Sequence, residues 1–153
     1  MPPKEKINFL IREIETADLQ KGFFQALSNL SDVGRIINDN KRAENILFDI
    51  KSSPFYKIFV AISDDDQVIG STTLLIEQKF IHNGGKAGHI EDVTTSRKHE
   101  GKGVGSALVR AAVDFAKENG CYKVILDCSK KNIQFYRRMG FKEYEISMRY
   151  DTM

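Results

Sequence analysis

Cysteine and histidine are scarce in this chain, charge of either sign is nearly balanced, and no apolar run approaches the length a bilayer requires. Each shortage excludes something. The two cysteines, Cys121 and Cys128, fall within or at the end of one expected strand. Their spacing suits neither a metal knuckle nor a redox Cys-x-x-Cys pair, so reduced, buried thiols are expected. The three histidines, His82, His89 and His99, form no helical His-x-x-x-His pair beside an acidic residue, so no catalytic metal is expected. With 23 basic against 21 acidic residues the net charge is +2, too small for a general field that attracts nucleic acid or an anionic membrane. Any anion must be bound locally. The charged start, MPPKEKINFL, has no apolar h-region, which points to a soluble, cytoplasmic protein.

What is present suits a single globular unit. The 41% hydrophobic and 29% charged residues are far from the composition of disordered chains. A chain of 153 residues matches one domain, taken as 1–153, able to bury about 70% of its unfolded surface. Residues 7–14 read as a strand. Thr16 or Asp18 then opens an amphipathic helix carrying Leu19, Phe23, Leu27 and Leu30 and ending near Ser31. A weaker helical pattern with Ile46, Leu47 and Ile50 runs to the break at Ser53-Pro54. The β-rich runs 55–63 and 67–80, joined by three aspartates, form an antiparallel hairpin. A strand over 87–95 leads through HEGKGVGS into a helix from Val104 to Glu118, stopped by Asn119-Gly120. A strand over 121–128, a short helix over 130–139 capped by Ser129, and a last strand over 141–150 complete the chain. The fold class is therefore α/β (α+β), a mixed central sheet flanked by helices on both faces.

Three glycines at alternate positions, Gly101, Gly103 and Gly105, stand between strand and helix. They let the backbone approach a bulky anion, so that amides and the positive helix end can hold phosphate oxygens. A tight strand-to-helix turn explains them equally well. A Walker loop needs Gly-Lys-Ser/Thr at its end, and a Rossmann fingerprint needs a further glycine where Ala107 or Leu108 stands. Glu100 through Gly105 instead resembles the cofactor loop of the GNAT acetyltransferase superfamily, Gln/Arg-x-x-Gly-x-Gly/Ala, with Glu100 where that family presents Arg or Gln. The segment Asn132 to Phe141, with Phe135-Tyr136 and Gly140-Phe141, is similar to a second feature of the same family. IEQKFIHNGGKAG, GHIEDVTTS and GCYKVILDCSKKNIQFYRRMGF narrow the resemblance to its small dimeric members that acetylate glucosamine 6-phosphate.

The resemblance implies a GNAT fold, acetyl-CoA as cosubstrate, and a sugar phosphate as acceptor in UDP-N-acetylglucosamine biosynthesis. It also implies a homodimer with composite sites. By the same likeness the cofactor would meet Val93, Gly101, Lys102, Gly103, Val104, Gly105, Ser106, Asn132, Tyr136, Arg137 and Arg138. The sugar phosphate would meet Ser31, Lys79, Phe80, Ile81, His82, Glu91, Asp92, Val93 and Arg149, with Tyr122 and Lys123 from the partner subunit. Tyr136 would donate a hydrogen bond to the departing thiolate, although its spacing with Ile133 and Gly140 equally fits a core aromatic. Glu91 and Asp92 are adjacent in a strand, so their side chains should point to opposite faces. Glu91 could take the ammonium proton, and Asp127 offers a carboxylate and a carbonyl near the amine. No basic residue adjoins Cys128 in sequence, which favours direct transfer in a ternary complex over a covalent route. Two other readings stand: a GNAT enzyme acting on another amine, such as a protein lysine, polyamine or aminoglycoside, and a non-catalytic acyl-CoA-binding module.

Overall fold

The computed structural model describes residues 5–153. Alternation of apolar side chains builds its centre, a five-stranded sheet in the order β1 (Phe9–Glu13), β2 (Tyr56–Ser63), β3 (Val68–Gln78), β4 (Lys86–Thr95) and β5 (Cys121–Leu126). The first four strands are antiparallel neighbours, and β5 runs parallel to β4. Strand β2 shows how both faces are used. Phe59 and Ala61 join one core, and Ile58, Val60 and Ile62 join the other, as a period of two requires.

Against the first face packs α4 (Val104–Glu118), burying Val104, Leu108, Val109, Ala112 and Ala116. Against the second pack α1 (Phe23–Ser28) and α2 (Asn40–Lys51), through Phe23, Phe24, Ala43 and Leu47. The mixed sheet with helices on both faces is thus the expected architecture. The start of α4 is set by Gly70 on β3. A Cβ there would stand 2.8 Å from Val104 Cγ1 and 3.0 Å from Leu108 Cδ1, so only glycine lets the helix lie so close to the sheet.

Local expectations changed in four places. The helix expected from Thr16 to Ser31 is two pieces, a 3₁₀ turn over Thr16–Gln20 and α1, separated by Gly22 at φ +93°. Asp18 is the cause of the first piece. Fully buried, it accepts from the Glu15 amide at 2.7 Å and from the Arg12 guanidinium at 2.6 and 2.8 Å, tying the turn to β1. The helix expected over 130–139 is likewise a 3₁₀ turn, Lys130–Asn132, followed by α5 (Ile133–Arg137), and Ser129 makes no side-chain cap. Cys128 is exposed rather than buried, because β5 ends at Leu126 before reaching it; Cys121 is partly buried, and both are free thiols.

The fourth change concerns the end of the chain. Residues 141–150 form no strand. Tyr144, Ile146, Met148 and Tyr150 keep the alternation of a strand, yet Ile146 and Met148 are each 92% exposed. A strand exists only where a neighbouring edge accepts its hydrogen bonds, and among the described residues no ladder reaches this segment.

Candidate active site

The cleft opens where two strands part. Strands β4 and β5 pair from Lys86↔Cys121 to Ile90↔Leu126; β5 then stops while β4 continues to Thr95. Beyond Ile90 the edge of β4 that faced β5 is released, and a cleft of about 910 Å³ fills the gap. Strand β4 and the loop before α4 line one side of it, and the chain from Leu126 to Tyr136 lines the other.

A bulge shapes the first wall. Thr73 pairs with Glu91 and Ser71 with Thr94, so Asp92 and Val93 together oppose Thr72, and Asp92 takes φ +51°. The extra residue breaks the alternation at Asp92 and Val93, and Glu91, Asp92 and Val93 all border the cleft. Such dihedrals are sparsely populated by a non-glycine residue and persist only where the surroundings impose them.

At the far end lies the glycine loop. Gly101, Gly103, Val104, Gly105 and Ser106 all border the cleft. Gly101 (φ +71°) and Gly103 (φ +87°) are left-handed, and a Cβ built on either meets nothing within 4 Å. Gly103 is also the N-cap of the 15-residue helix α4. Space beside the backbone, amides at a helix N-terminus and the positive end of its dipole fit the pyrophosphate of a CoA thioester. The released edge of β4 suits its extended amide-bearing arm.

Opposite the carboxylates, Asp127, Asn132 and Tyr136 complete the lining. Tyr136 is 8% exposed and packs edge-on against Phe135 and Phe141, with ring centroids at 4.9 and 5.8 Å. Burial, and next the neighbouring Cys128, push its phenol above the ordinary value, so it stays protonated and able to donate. Glu91 is also raised, first by burial, then by the charges of Asp127 and Asp92, with His89 pulling the other way. A carboxylate raised in this way is a stronger base than a free one.

Other expected residues lie elsewhere. Lys102 points out to Glu5 at 3.0 Å, Arg137 pairs with Glu143, and Arg138 is exposed. None of the three lines the cleft; Lys131 does. Ser31 lies just beyond it, where Asn29 and Leu30 form the wall. Lys79, Phe80, Ile81 and His82 cluster with Tyr122 and Lys123 at the opposite end of β5. The single turn α3 (Ile81–Gly84) places the His82 ring 4.1 Å from that of Tyr122, and Lys123 Nζ lies 5.7 Å from the same ring. Four strand steps lead from Tyr122 to Leu126, about 13 Å. Phe80 is fully exposed. Arg149 pairs with Asp151 on the exposed end of the chain.

Residues that sequence reasoning missed as cleft lining include Asn29, His99, Cys128 and Phe135. Cys128 and Phe135 stand within the segment that carries the family resemblance, and Asn29 stands at the expected end of a helix.

A strand pair splayed beside a glycine-rich helix start is an arrangement that can hold a CoA thioester, as an acyltransferase must. Residues 18–141 match the family model described as the acetyltransferase (GNAT) family, and the chain belongs to that family. It is 36% identical over 144 residues to glucosamine 6-phosphate N-acetyltransferase of Arabidopsis thaliana, covering 92% of this chain and 94% of that one. To the Candida albicans protein of the same name it is 34% identical over 142 residues, covering 92% and 93%. Among solved structures, glucosamine-6-phosphate N-acetyltransferase from Arabidopsis thaliana superposes with a TM-score of 0.91 at 34% identity, covering 95% of this chain and 99% of that one.

Proposed function

We propose that the protein transfers the acetyl group of acetyl-CoA to the amine of glucosamine 6-phosphate, giving N-acetylglucosamine 6-phosphate and free CoA. The observation that carries this reading is the single cleft holding the left-handed glycine cradle, the Glu91–Asp127 carboxylates and Tyr136. The near full-length likeness to two proteins named for this reaction supports the substrate.

Acetyl-CoA supplies an activated acyl group on a thiol leaving group. The chain's residues do the rest. The loop from Gly101 to Ser106 and the released edge of β4 bind and orient the cosubstrate, with Asn132 at the other wall. Glu91 takes a proton from the ammonium group, so that a neutral amine can attack the thioester carbonyl; the C–N bond forms as the C–S bond breaks. Asp127 and Asp92 favour a cationic amine beside Glu91. Tyr136 donates a hydrogen bond to the sulfur as negative charge develops there, and the second proton that the nitrogen loses on becoming an amide ends on the departing thiolate, giving the CoA thiol. No covalent enzyme intermediate is required, and the exposed Cys128 is not given a role.

The unit acts as a homodimer in this reading, with one domain over 1–153 in each subunit. Lys79 to His82, Tyr122 and Lys123 stand about 13 Å along β5 from their own cleft, which favours service to the partner's cleft. The strand-patterned end of the chain, including Arg149, carries an exposed apolar face of Tyr144, Ile146, Met148 and Tyr150 without a sheet, and strand addition to a second copy would bury that face.

A thiol-release assay with acetyl-CoA and a panel of amines tests the substrate. Glucosamine 6-phosphate should exceed glucosamine at least about tenfold in kcat/KM, since a charged hydrogen bond contributes about 1.5–3 kcal/mol. Equal values reject the assignment. For the composite site, a subunit disabled at Tyr136 mixed with one disabled at Lys123 should regain activity through one intact site; no recovery refutes sharing.

A further inference from the structure

We propose that Asn29 holds the Glu100 carboxylate out of the phosphate cradle and thereby sets the affinity of the glycine loop for coenzyme A. This rests on the reading that the cleft binds acetyl-CoA.

Glu100 immediately precedes Gly101 and borders the cleft. Amides at a helix N-terminus with open space beside them attract any anion, and a carboxylate on the adjoining residue is the nearest one available. Left free, Glu100 competes with the pyrophosphate for those donors and repels it. The structure shows where the carboxylate goes instead: Glu100 Oε1 accepts from Asn29 Nδ2 at 2.8 Å. The same Nδ2 donates to the Thr95 carbonyl at 2.7 Å, so the amide is held from two sides. Among the described residues no lysine or arginine pairs with Glu100, which leaves the neutral amide as its restraint.

Asn29 is itself fixed. It is the C-cap of α1, and that helix is stapled to β4 by the buried bond from Thr94 Oγ1 to the Ala26 carbonyl, 2.8 Å. The backbone before Glu100 is pinned by Ser96 and His99, whose Oγ and Nδ1 lie 2.6 Å apart. Two anchored segments therefore meet at one hydrogen bond, and α1 leads directly into Leu30 on the cleft wall. Asn29 acts through Glu100 and is a positioning residue.

The test is a double-mutant cycle on the full-length chain, read by calorimetric titration with coenzyme A. Asn29→Ala should weaken binding about five- to tenfold, and tenfold corresponds to about 1.4 kcal/mol. Adding Glu100→Gln should bring the Kd back to within about twofold of the parent, while Glu100→Gln alone should change it less than Asn29→Ala does. In turnover, Asn29→Ala should raise the KM for acetyl-CoA and leave kcat at saturation within about twofold of the parent. Asn29→Asp keeps the side chain's shape if the alanine variant does not fold. It should weaken coenzyme A binding further by repelling Glu100, again with relief from Glu100→Gln. If the double variant binds as weakly as Asn29→Ala, Asn29 is only a helix cap and the inference is overturned. A parent protein that binds no coenzyme A overturns the functional reading instead.

Discussion

Replacing Gly103 with valine separates backbone strain from ligand recognition, because the structure supplies a matched control. Gly103 has φ +87° and Gly120 has φ +78°, and an added Cβ at either meets no atom within 4 Å. Both substitutions therefore place an L-residue in the left-handed region without a steric clash in the free protein. The strain is about 1–2 kcal/mol at each, a loss of about 2–8 °C in Tm for a chain of this length. Here the likeness ends. Gly103 borders the cleft at the start of α4, while Gly120 follows its other end, outside the cleft. Only at position 103 does the new side chain occupy space that a pyrophosphate would fill. Losing one charge-assisted hydrogen bond there removes about 1.5–3 kcal/mol, so the Kd for coenzyme A should rise by about tenfold to a hundredfold. Calorimetry gives the affinities and circular dichroism the melting temperatures. Gly120→Val should melt early yet bind as the parent does, and Gly103→Val should do both harms. If a folded Gly103→Val protein binds coenzyme A as tightly as Gly120→Val, the cradle is not where the phosphates lie.

Tyr136→Phe should keep the ring packing and the affinity for acetyl-CoA, and lower the single-turnover rate about two to three orders of magnitude, since a preorganised donor contributes about 2.7–4 kcal/mol; an unchanged chemical rate removes the acid role. Glu91 is raised above its ordinary 4.5 and must be ionised to accept a proton. The rate at saturating substrates should therefore fall as pH drops through that raised value, on a limb that Glu91→Gln abolishes while lowering the plateau. Removing the guanidinium with Arg12→Ala leaves the buried Asp18 carboxylate unpaired and should cost about 3–5 kcal/mol in urea unfolding. Burial alone would raise Asp18, but the Arg12 bond and the Glu15 amide outweigh it and its pKa is lowered. That stability is present at neutral pH and is lost as pH falls below the usual carboxylate range; the Arg12→Ala protein should show a weaker loss there.

The sequence by itself determined the elements whose causes are local. Helix α4 runs from Val104 to Glu118 as its periodicity and flanking glycines indicate, because neighbours three and four apart decide which face is buried. The hairpin, the strand after α4 and the glycine loop followed from alternation and from the φ freedom of Gly101 and Gly103. Most of the candidate site came with them: Glu91, Val93, the loop, Asp127, Asn132 and Tyr136 all border one cleft.

Tertiary structure decided what depends on distant partners. The bulge at Asp92 and Val93 on the cleft wall arises from the pairing of β4 with β3, which alternation within β4 cannot register. The break at Gly22 falls where β3 meets the chain: the Val68 amide donates to the Lys21 carbonyl at 2.7 Å, and a Cβ on Gly22 would stand 3.1 Å from the Val68 carbonyl oxygen. Residues 141–150 show the reverse case, a strand pattern to which no neighbouring edge among the described residues gives hydrogen bonds. The Asn29–Glu100 contact joins positions 71 residues apart, and the docking of α1 on the end of β4 brings them together.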